Sequence, residues 1–252
     1  MAKILEVCVD SCASAMAAVA GGADRLELCS ALAVGGLTPS AALLKLIRES
    51  SSIPIRCLMR PRPGDFLYSA EEIRQMAMEM DILRQAGADG FVIGCLTPTG
   101  ELDRAAMEPL LQAAGGVKLT LHRCVDVSRD IGRIYLDAGE LGIDTVLTSG
   151  AAGNCTSGKD AIRHLLKLRD SQGGPEVLIG AGVNAEVITA LRRELPGARA
   201  FHMSGKTARE SGMLFRREGV PMGLPGLDEW HIQQTSEGAV RAARLALDKG
   251  LL

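Results

Sequence analysis

The sequence contains 252 residues, with 28 basic and 30 acidic side chains, a formal net charge of -2, 47% hydrophobic residues and 23% charged residues. A charge so close to zero argues against nucleic acid as a partner, and the hydrophobic fraction is typical of a globular chain with a large core. Only 3% of the residues are aromatic. The core must therefore consist mainly of aliphatic side chains, as it does where helices pack on a parallel sheet.

Charged residues interrupt every apolar stretch before it reaches the roughly 20 residues of a membrane-spanning helix, so we expect no membrane partner. From Met1 to Glu6 the chain enters a strand-like pattern directly, which predicts that no secretory segment precedes the domain. The seven cysteines are an odd number in a chain far longer than disulfide scaffolds, and this favours reduced thiols. The sequence therefore predicts a cytoplasmic protein.

Short apolar runs alternate along the chain with amphipathic stretches of helical spacing, which is the pattern of consecutive βαβ units. The predicted strands are, in chain order, Ile4 to Val9, Arg25 to Cys29, Ile55 to Arg60, Phe91 to Gly94, Val117 to His122, Thr145 to Thr148, Val177 to Gly180 and Ala200 to Met203. The predicted helices between them include Ser40 to Glu49, Glu71 to Gln85, Ile131 to Leu136, Ile162 to Leu168 and Ala185 to Leu195.

Three joints between a helix and the next strand share one local pattern, Gly-Gly-Ala-Asp at 21–24, Ala-Gly-Ala-Asp at 86–89 and Leu-Gly-Ile-Asp at 141–144. A glycine in this place can end a helix in the left-handed conformation. Eight strands in a chain of this length predict the α/β class and a single-domain (β/α)8 TIM barrel over residues 1–252. A long loop is expected at about 205–233, followed by a C-terminal helix. An open, doubly wound sheet is the alternative.

The first two predicted strands each carry a carboxylate and a thiol on one face, because side chains alternate with period two. These residues are Glu6 with Cys8 and Glu27 with Cys29. Consecutive strands of a barrel are neighbours and active sites lie at their C-terminal ends, so we expect the four side chains to converge. The carboxylates are candidate catalytic groups or members of a structural ion pair. The thiols are candidate metal ligands or inert core residues.

Charged residues cluster where the third predicted strand ends and its loop begins. Arg60 ends the strand, and Arg62 and Asp65 follow in a segment that Pro61 stiffens. Guanidinium groups bind carboxylates and phosphates with two parallel hydrogen bonds. We therefore expect these three charged residues either to bind an anionic ligand or to form a salt-bridge network at the barrel mouth.

Two of the four histidines end predicted strands, His122 on the fifth and His202 on the eighth. An imidazole at a barrel mouth is a candidate general acid, general base or metal ligand. Asp126 lies four residues after His122 and is a candidate to orient it, while Arg123 and Ser204 are candidate ligand-binding residues beside the two histidines. Satisfied core histidines are the alternative.

Glycine-containing turns follow the sixth and seventh predicted strands, with Ser149 and Gly150 in one and Gly180 and Gly182 in the other. Exposed backbone N–H groups in this part of a barrel often hold phosphate. The four residues are therefore candidate ligand-binding residues, with a tight strand-to-helix connection as the alternative.

An ordered set of short motifs runs along nearly the whole chain. It comprises Glu6-Val7-Cys8, Asp10-Ser11, the runs from Gly22 to Cys29 and from Gly35 to Ser40, Arg60-Pro61-Arg62, Gly64-Asp65-Phe66, Tyr68-Ser69, His122-Arg123 with Asp126, Leu147-Thr148-Ser149-Gly150, and Phe201-His202. This set resembles the CutC family, cytoplasmic proteins named for copper homeostasis. Where that family usually has Phe-His-Arg-Ala-Phe-Asp, this chain has Leu121-His122-Arg123-Cys124-Val125-Asp126, which keeps the charged residues and loses the aromatic ones.

The resemblance implies a (β/α)8 barrel, self-association as a homodimer or higher oligomer, and binding of Cu(I) through Cys8 and Cys29. One hypothesis is therefore a cytoplasmic Cu(I)-binding protein without an organic cofactor. The alternative is an isomerase or aldolase-like enzyme that acts on a small anionic metabolite, such as a phosphorylated one, because a carboxylate and an imidazole together can move a proton. In that hypothesis Glu6, Glu27 and His122 perform the chemistry. A third interpretation is a structural barrel whose polar mouth stabilises an oligomer.

Overall fold

The computed structural model describes residues 3–217, 219–220, 222–223, 226 and 228–250. Eight parallel strands form a closed barrel in which each strand pairs with the next in sequence and the eighth pairs with the first. These strands, β1 to β8, are Ile4–Val9, Arg25–Leu28, Ile55–Leu58, Gly90–Ile93, Lys118–Leu121, Thr145–Thr148, Glu176–Ile179 and Ala200–Met203. The predicted (β/α)8 barrel is confirmed, and each predicted strand has a counterpart within two residues.

Eight α-helices lie in the described part of the chain. These helices, α1 to α8, are Cys12–Ala20, Ala41–Ser50, Ala70–Gln85, Arg104–Ala114, Ile131–Glu140, Lys159–Gln172, Ala185–Glu194 and Glu237–Asp248. Outward-facing strand residues such as Leu119 and Leu121 join the main core between barrel and helices. Inward-facing residues form two smaller apolar groups, one of which holds Cys8, Cys29 and Leu58. The alternation of faces therefore separates the helix-packing core from the barrel interior.

The three repeated joints serve the same purpose after α1, α3 and α5. Gly22, Gly87 and Gly142 have φ angles of +91°, +104° and +77°, in the left-handed region that glycine adopts without strain. The aspartate two residues after each glycine accepts a hydrogen bond from a backbone N–H near the start of the preceding strand, over 2.6 to 2.7 Å. The pairs are Asp24 with Leu5, Asp89 with Ile55 and Asp144 with Leu119. The motif thus fixes the N-terminal end of the barrel.

A guanidinium group fills part of the barrel interior beneath the mouth. Arg56 on β3 donates hydrogen bonds to Thr120 over 2.6 Å, to Thr145 over 3.1 Å and to Asp144 over 2.7 Å. Burial and the nearby charge of Arg25 lower the pKa of Arg56, and the carboxylate of Asp144 opposes that change. This network connects β3, β5 and β6 across the interior.

An antiparallel hairpin occupies part of the segment predicted as a loop and extends two residues beyond it, to Thr235. Its strands, β9 and β10, are Lys206–Glu210 and His231–Thr235. Most of their side chains are exposed and polar, so they lack the alternation of apolar residues that reveals a half-buried strand. The predicted C-terminal helix corresponds to α8.

Candidate functional site

A cavity of about 900 Å³ opens at the C-terminal ends of the barrel strands, a size typical of small-molecule sites. Cys8, Glu27, Arg60, His122 and His202 all line it. The eight-stranded barrel therefore brings together side chains from five strand ends that are far apart in sequence.

A carboxylate and an imidazole meet on one wall. Glu6 is fully buried, forms an ion pair with Arg25 and lies 2.7 Å from His202 Nδ1 through its Oε1 atom. Burial by itself raises the pKa of Glu6, but the charges of Arg25 and His202 outweigh burial and bring that pKa to about 2. Glu6 is thus an anion in direct contact with His202, its partner in the β1–β8 register.

The second nitrogen of His202 points toward the other carboxylate, with Nε2 lying 3.8 Å from Glu27 Oε2. Burial opposes the charged imidazole, yet its interactions with Cys8, Glu27 and Glu6 raise the pKa of His202 well above its ordinary value. Burial also raises the pKa of Glu27. The sulfur of Cys8, a nitrogen of His202 and an oxygen of Glu27 all lie within 4.8 Å of one another. This trio could hold a metal ion.

Cys29 lies behind this trio and does not line the cavity. Its side chain is fully buried, and its thiol donates to Glu27 Oε2 over 3.4 Å. Burial, reinforced by the negative charge of Glu27, raises the pKa of Cys29 well above the ordinary value for a thiol. The environment of Cys29 therefore favours the protonated thiol.

Arg60 and His122 occupy another part of the rim, next to Phe66. The Cζ atom of Arg60 lies 5.3 Å from the centre of the Phe66 ring, and the centre of the His122 ring lies 4.6 Å from it. Burial, together with the charge of Arg60, lowers the pKa of His122 to about 3. His122 is therefore neutral at neutral pH.

Asp126 organises the loop after β6 rather than orienting His122. Its carboxylate accepts hydrogen bonds from the hydroxyl groups of Thr148 and Ser149, from two backbone N–H groups in that loop and from Arg123. Burial raises its pKa, but these donors have the larger effect and lower it. The Nδ1 atom of His122 instead accepts from the backbone N–H of Cys124 over 3.2 Å.

Several other residues predicted at the site lie beside the cavity or away from it. Arg123 and Ser204 line it, whereas Arg62 lies in the loop before α3 and forms ion pairs with Asp65 of that loop and Glu72 of α3. Four further candidates are absent from the described cavity lining, namely Ser149, Gly150, Gly180 and Gly182. Ser149 forms hydrogen bonds with Asp126 and Arg123. The glycines allow close packing, since a Cβ atom on Gly150 would lie 2.1 Å from the carbonyl oxygen of Gly158.

Sequence reasoning did not single out Arg25 as a site residue, although a signal was present. Arg25 lies two residues before Glu27, on the same face of β2, and its partner Glu6 lies opposite it in the β1–β2 register. The lining residues Asp10 and Lys206, which form an ion pair with each other over 2.9 Å, were likewise not predicted as a pair. They are 196 residues apart in sequence, so only the closed barrel reveals their contact.

The model of the CutC family matches residues 3–207. The chain belongs to the CutC family. A CutC family protein from Chromobacterium violaceum is 42% identical over 99% of this chain and 100% of that protein, and one from Pasteurella multocida is 37% identical over 97% of this chain and 99% of that protein. Membership in CutC confirms the resemblance that the ordered motifs indicate.

Solved structures agree with this assignment. The crystal structure of CutC from Streptococcus agalactiae, a proposed copper homeostasis protein, superposes with a TM-score of 0.75 at 27% identity and covers 80% of this chain and 98% of that one. A 3-hexulose-6-phosphate synthase from Salmonella typhimurium superposes with a TM-score of 0.57 at 15% identity over 97% of this chain and 98% of that one. That second likeness shows the barrel fold alone.

Among the described residues, no helix is both long and apolar enough to cross a bilayer.

Proposed function

We propose that this CutC family protein works in cytoplasmic copper homeostasis and binds Cu(I) through the thiolate of Cys8 and the imidazole of His202. The observation that carries the proposal is the approach of Cys8, His202 and Glu27, whose ligand atoms lie within 4.8 Å of one another at the cavity. The name of the Streptococcus agalactiae relative, which refers to copper homeostasis, supports the same function.

The chemistry of these donors fits a soft metal ion. Thiolate sulfur selects Cu(I) over hard cations, and imidazole nitrogen binds copper well. Metal-binding histidines usually donate their other ring N–H to a carboxylate, which fixes the tautomer and the ring orientation. Glu6 is in the position to play this part, 2.7 Å from Nδ1 of His202, and leaves Nε2 for the metal.

Cys29 is less suited than His202 to be the second ligand. The resemblance implies Cys8 and Cys29 as a pair, and both belong to the same small buried group. Both Cys29 and His202 must lose a proton to bind a metal, because the pKa of each is raised well above its ordinary value. Cys29, however, does not line the cavity, and its thiol donates to Glu27 over 3.4 Å. We therefore propose Cys8 and His202 as the principal ligands, with Cys29 as a neighbour that keeps its proton.

The experiment is a competition for Cu(I) between the reduced protein and a coloured Cu(I) chelator. Cys8→Ser and His202→Asn are expected to weaken the Cu(I) affinity by about tenfold or more each, and Cys29→Ser serves as a matched control because it removes a nearby sulfur that does not line the cavity. Asn at position 202 retains a donor for Glu6, so the variant tests the metal-binding nitrogen.

The control separates the two possible ligand pairs. Equal losses of Cu(I) affinity in Cys8→Ser and Cys29→Ser, with no loss in His202→Asn, would show that the second ligand is the thiolate of Cys29 and not the imidazole of His202. Wild-type protein that cannot compete with the chelator, or that binds Zn²⁺ in preference to Cu(I), would refute the function. Self-association as a homodimer or higher oligomer is part of the proposal, and light scattering on the purified protein measures it.

A further inference from the structure

We propose that Arg60 and His122 form a second binding site in the cavity, separate from the copper ligands, which binds the carboxylate or phosphate group of a small organic molecule. Both residues line the cavity and both are more than nine-tenths buried, with exposed fractions of 8% and 4%. Each has a nitrogen atom without a hydrogen-bond partner in the described part of the chain. The proposal does not depend on copper binding.

The guanidinium of Arg60 is buried, and no carboxylate among the described residues neutralises it. Its Nη1 donates to the carbonyl oxygens of Val34 and Gly36 over 3.0 and 3.1 Å, and its Nη2 donates to that of Gly64 over 2.9 Å. Nε has no acceptor among the described residues. Neutral carbonyl groups hold the side chain in place, but they do not balance its charge. A buried cation in this state is an anion-binding group.

The other arginines of the barrel interior and the cavity are paired with carboxylates, whereas Arg192 on α7, outside the barrel, resembles Arg60 in donating to backbone carbonyls. Arg25 pairs with Glu6, and Arg56 pairs with Asp144 over 2.7 Å. Among the cations that line the cavity, Arg123 pairs with Asp126 over 2.7 Å and Lys206 with Asp10 over 2.9 Å. Ion pairs with Arg60 are absent from the described residues, so its free edge identifies the place where an external anion binds.

His122 supplies a neutral donor beside Arg60. Its Nδ1 accepts the backbone N–H of Cys124 over 3.2 Å, and this assigns the ring hydrogen of the neutral imidazole to Nε2. That Nε2 atom is buried and lacks a partner among the described residues. A hydrogen-bond donor that is removed from water in this way is stabilised by an acceptor that enters from the cavity.

The ring of Phe66 brings the two donors to one place. It lies 4.6 Å from the His122 ring centre and 5.3 Å from Arg60 Cζ, and it also lines the cavity. Leu32 and Leu58 add apolar surface to the same wall. The chemistry therefore fits a small oxyanion with a short uncharged body: the anionic group at Arg60 and His122, and the body along the apolar wall.

The experiment is isothermal titration calorimetry on reduced, chelator-treated protein. The probes are glycerol 3-phosphate, inorganic phosphate and butyrate, with glycerol and sodium chloride as uncharged and simple-ion controls. We expect at least one oxyanion to bind more tightly than chloride, and Arg60→Gln and His122→Asn to weaken it by about tenfold or more, the size of one lost charged or well-placed hydrogen bond. Lys206→Gln is the matched control, because it removes one positive charge from the same cavity but from a side chain that is already paired with Asp10.

The variants are chosen so that misfolding cannot hide the answer. Asn at position 122 keeps an acceptor for the Cys124 N–H and lacks only the Nε2 donor, so this variant decides the question if Arg60→Gln does not fold. Binding of glycerol 3-phosphate or of butyrate identifies the anion as a phosphate ester or a carboxylate. The proposal is overturned if no oxyanion binds better than chloride, if His122→Asn binds as tightly as wild type, or if Lys206→Gln loses as much affinity as Arg60→Gln.

Discussion

The Oε1 atom of Glu6 lies 2.7 Å from Nδ1 of His202, while the other oxygen of the same carboxylate pairs with Arg25. Glu6 is fully buried, so it connects β2 to β8 through the interior of the barrel. The carboxylate thereby fixes the orientation of the imidazole and directs the second ring nitrogen towards Cys8 and Glu27. The position of His202 is therefore a consequence of barrel closure.

Glu6→Gln tests this positioning role. The variant keeps an oxygen that can accept from His202 but removes the charge, so we expect Cu(I) affinity to fall by about 10-fold to 100-fold, as for other carboxylates behind metal-binding histidines. Arg25 would lose its buried partner, and the free energy of unfolding should fall by about 3 kcal/mol. Chelator competition and urea unfolding measure the two effects. Asp10→Asn, a cavity residue paired with Lys206, should leave Cu(I) affinity unchanged; a similar loss there would show that overall charge matters rather than the contact with His202.

The seven cysteines should differ in their reaction with N-ethylmaleimide. Cys12 is half-buried and Cys8 lines the cavity, whereas the other five are buried away from it, namely Cys29, Cys57, Cys95, Cys124 and Cys155. Burial raises the pKa of Cys57 to about 12 and that of Cys95 to about 12, and thiolate is the reactive form. Mass spectrometry should find Cys12 modified first and Cys8 second, with the five others protected until the protein unfolds. Early modification of Cys29 would contradict the structure.

His122 should make the folded protein sensitive to mild acid. Its pKa is about 3 in the folded state, because of burial and the charge of Arg60, against the ordinary 6.5 expected when unfolded. Below pH 6.5 the unfolded chain binds a proton at this position that the folded chain does not bind. The contribution of neutral His122 to the free energy of unfolding is therefore fully present above pH 6.5 and is lost as the pH falls toward 3. At pH 5 the loss is about 2 kcal/mol.

The measurement is urea unfolding of wild type and His122→Asn at pH 7 and at pH 5. The wild type should lose about 2 kcal/mol more than the variant between these two values, since the other titratable groups are common to both. Parallel losses in the two proteins would mean that His122 is protonated in the folded state.

Gly150 should tolerate no side chain, because of its packing and its backbone conformation. Its φ is +76°, and an added Cβ atom would lie 2.1 Å from the carbonyl oxygen of Gly158. Gly150→Ala should lower the free energy of unfolding by about 3 kcal/mol through overpacking and backbone strain. Gly153→Ala is the matched control in the same loop, because a Cβ atom there meets no atom within 4 Å. Equal unfolding midpoints for the two variants in urea would contradict this packing argument.

The sequence by itself determined the parts of this protein that depend on local patterns. Period-two alternation placed Leu119 and Leu121 toward the helices and His122 toward the mouth, and the spacing of Gly and Asp in the three joints predicted the turns that hold the barrel together at its N-terminal end. These features depend on residues within one element and its adjoining turns, so the order of side chains along the chain is sufficient to reveal them.

The tertiary structure alone decided which side chains meet. Glu6 reaches His202 because β1 pairs with β8, Cys29 falls behind the cavity while Cys8 lines it, and Asp126 bonds to the loop after β6 rather than to His122. Backbone carbonyls hold the guanidinium of Arg60, which has no carboxylate partner in the described part of the chain. Such contacts join residues far apart in sequence, and they follow from the closure and register of the barrel, which no local pattern of side chains specifies.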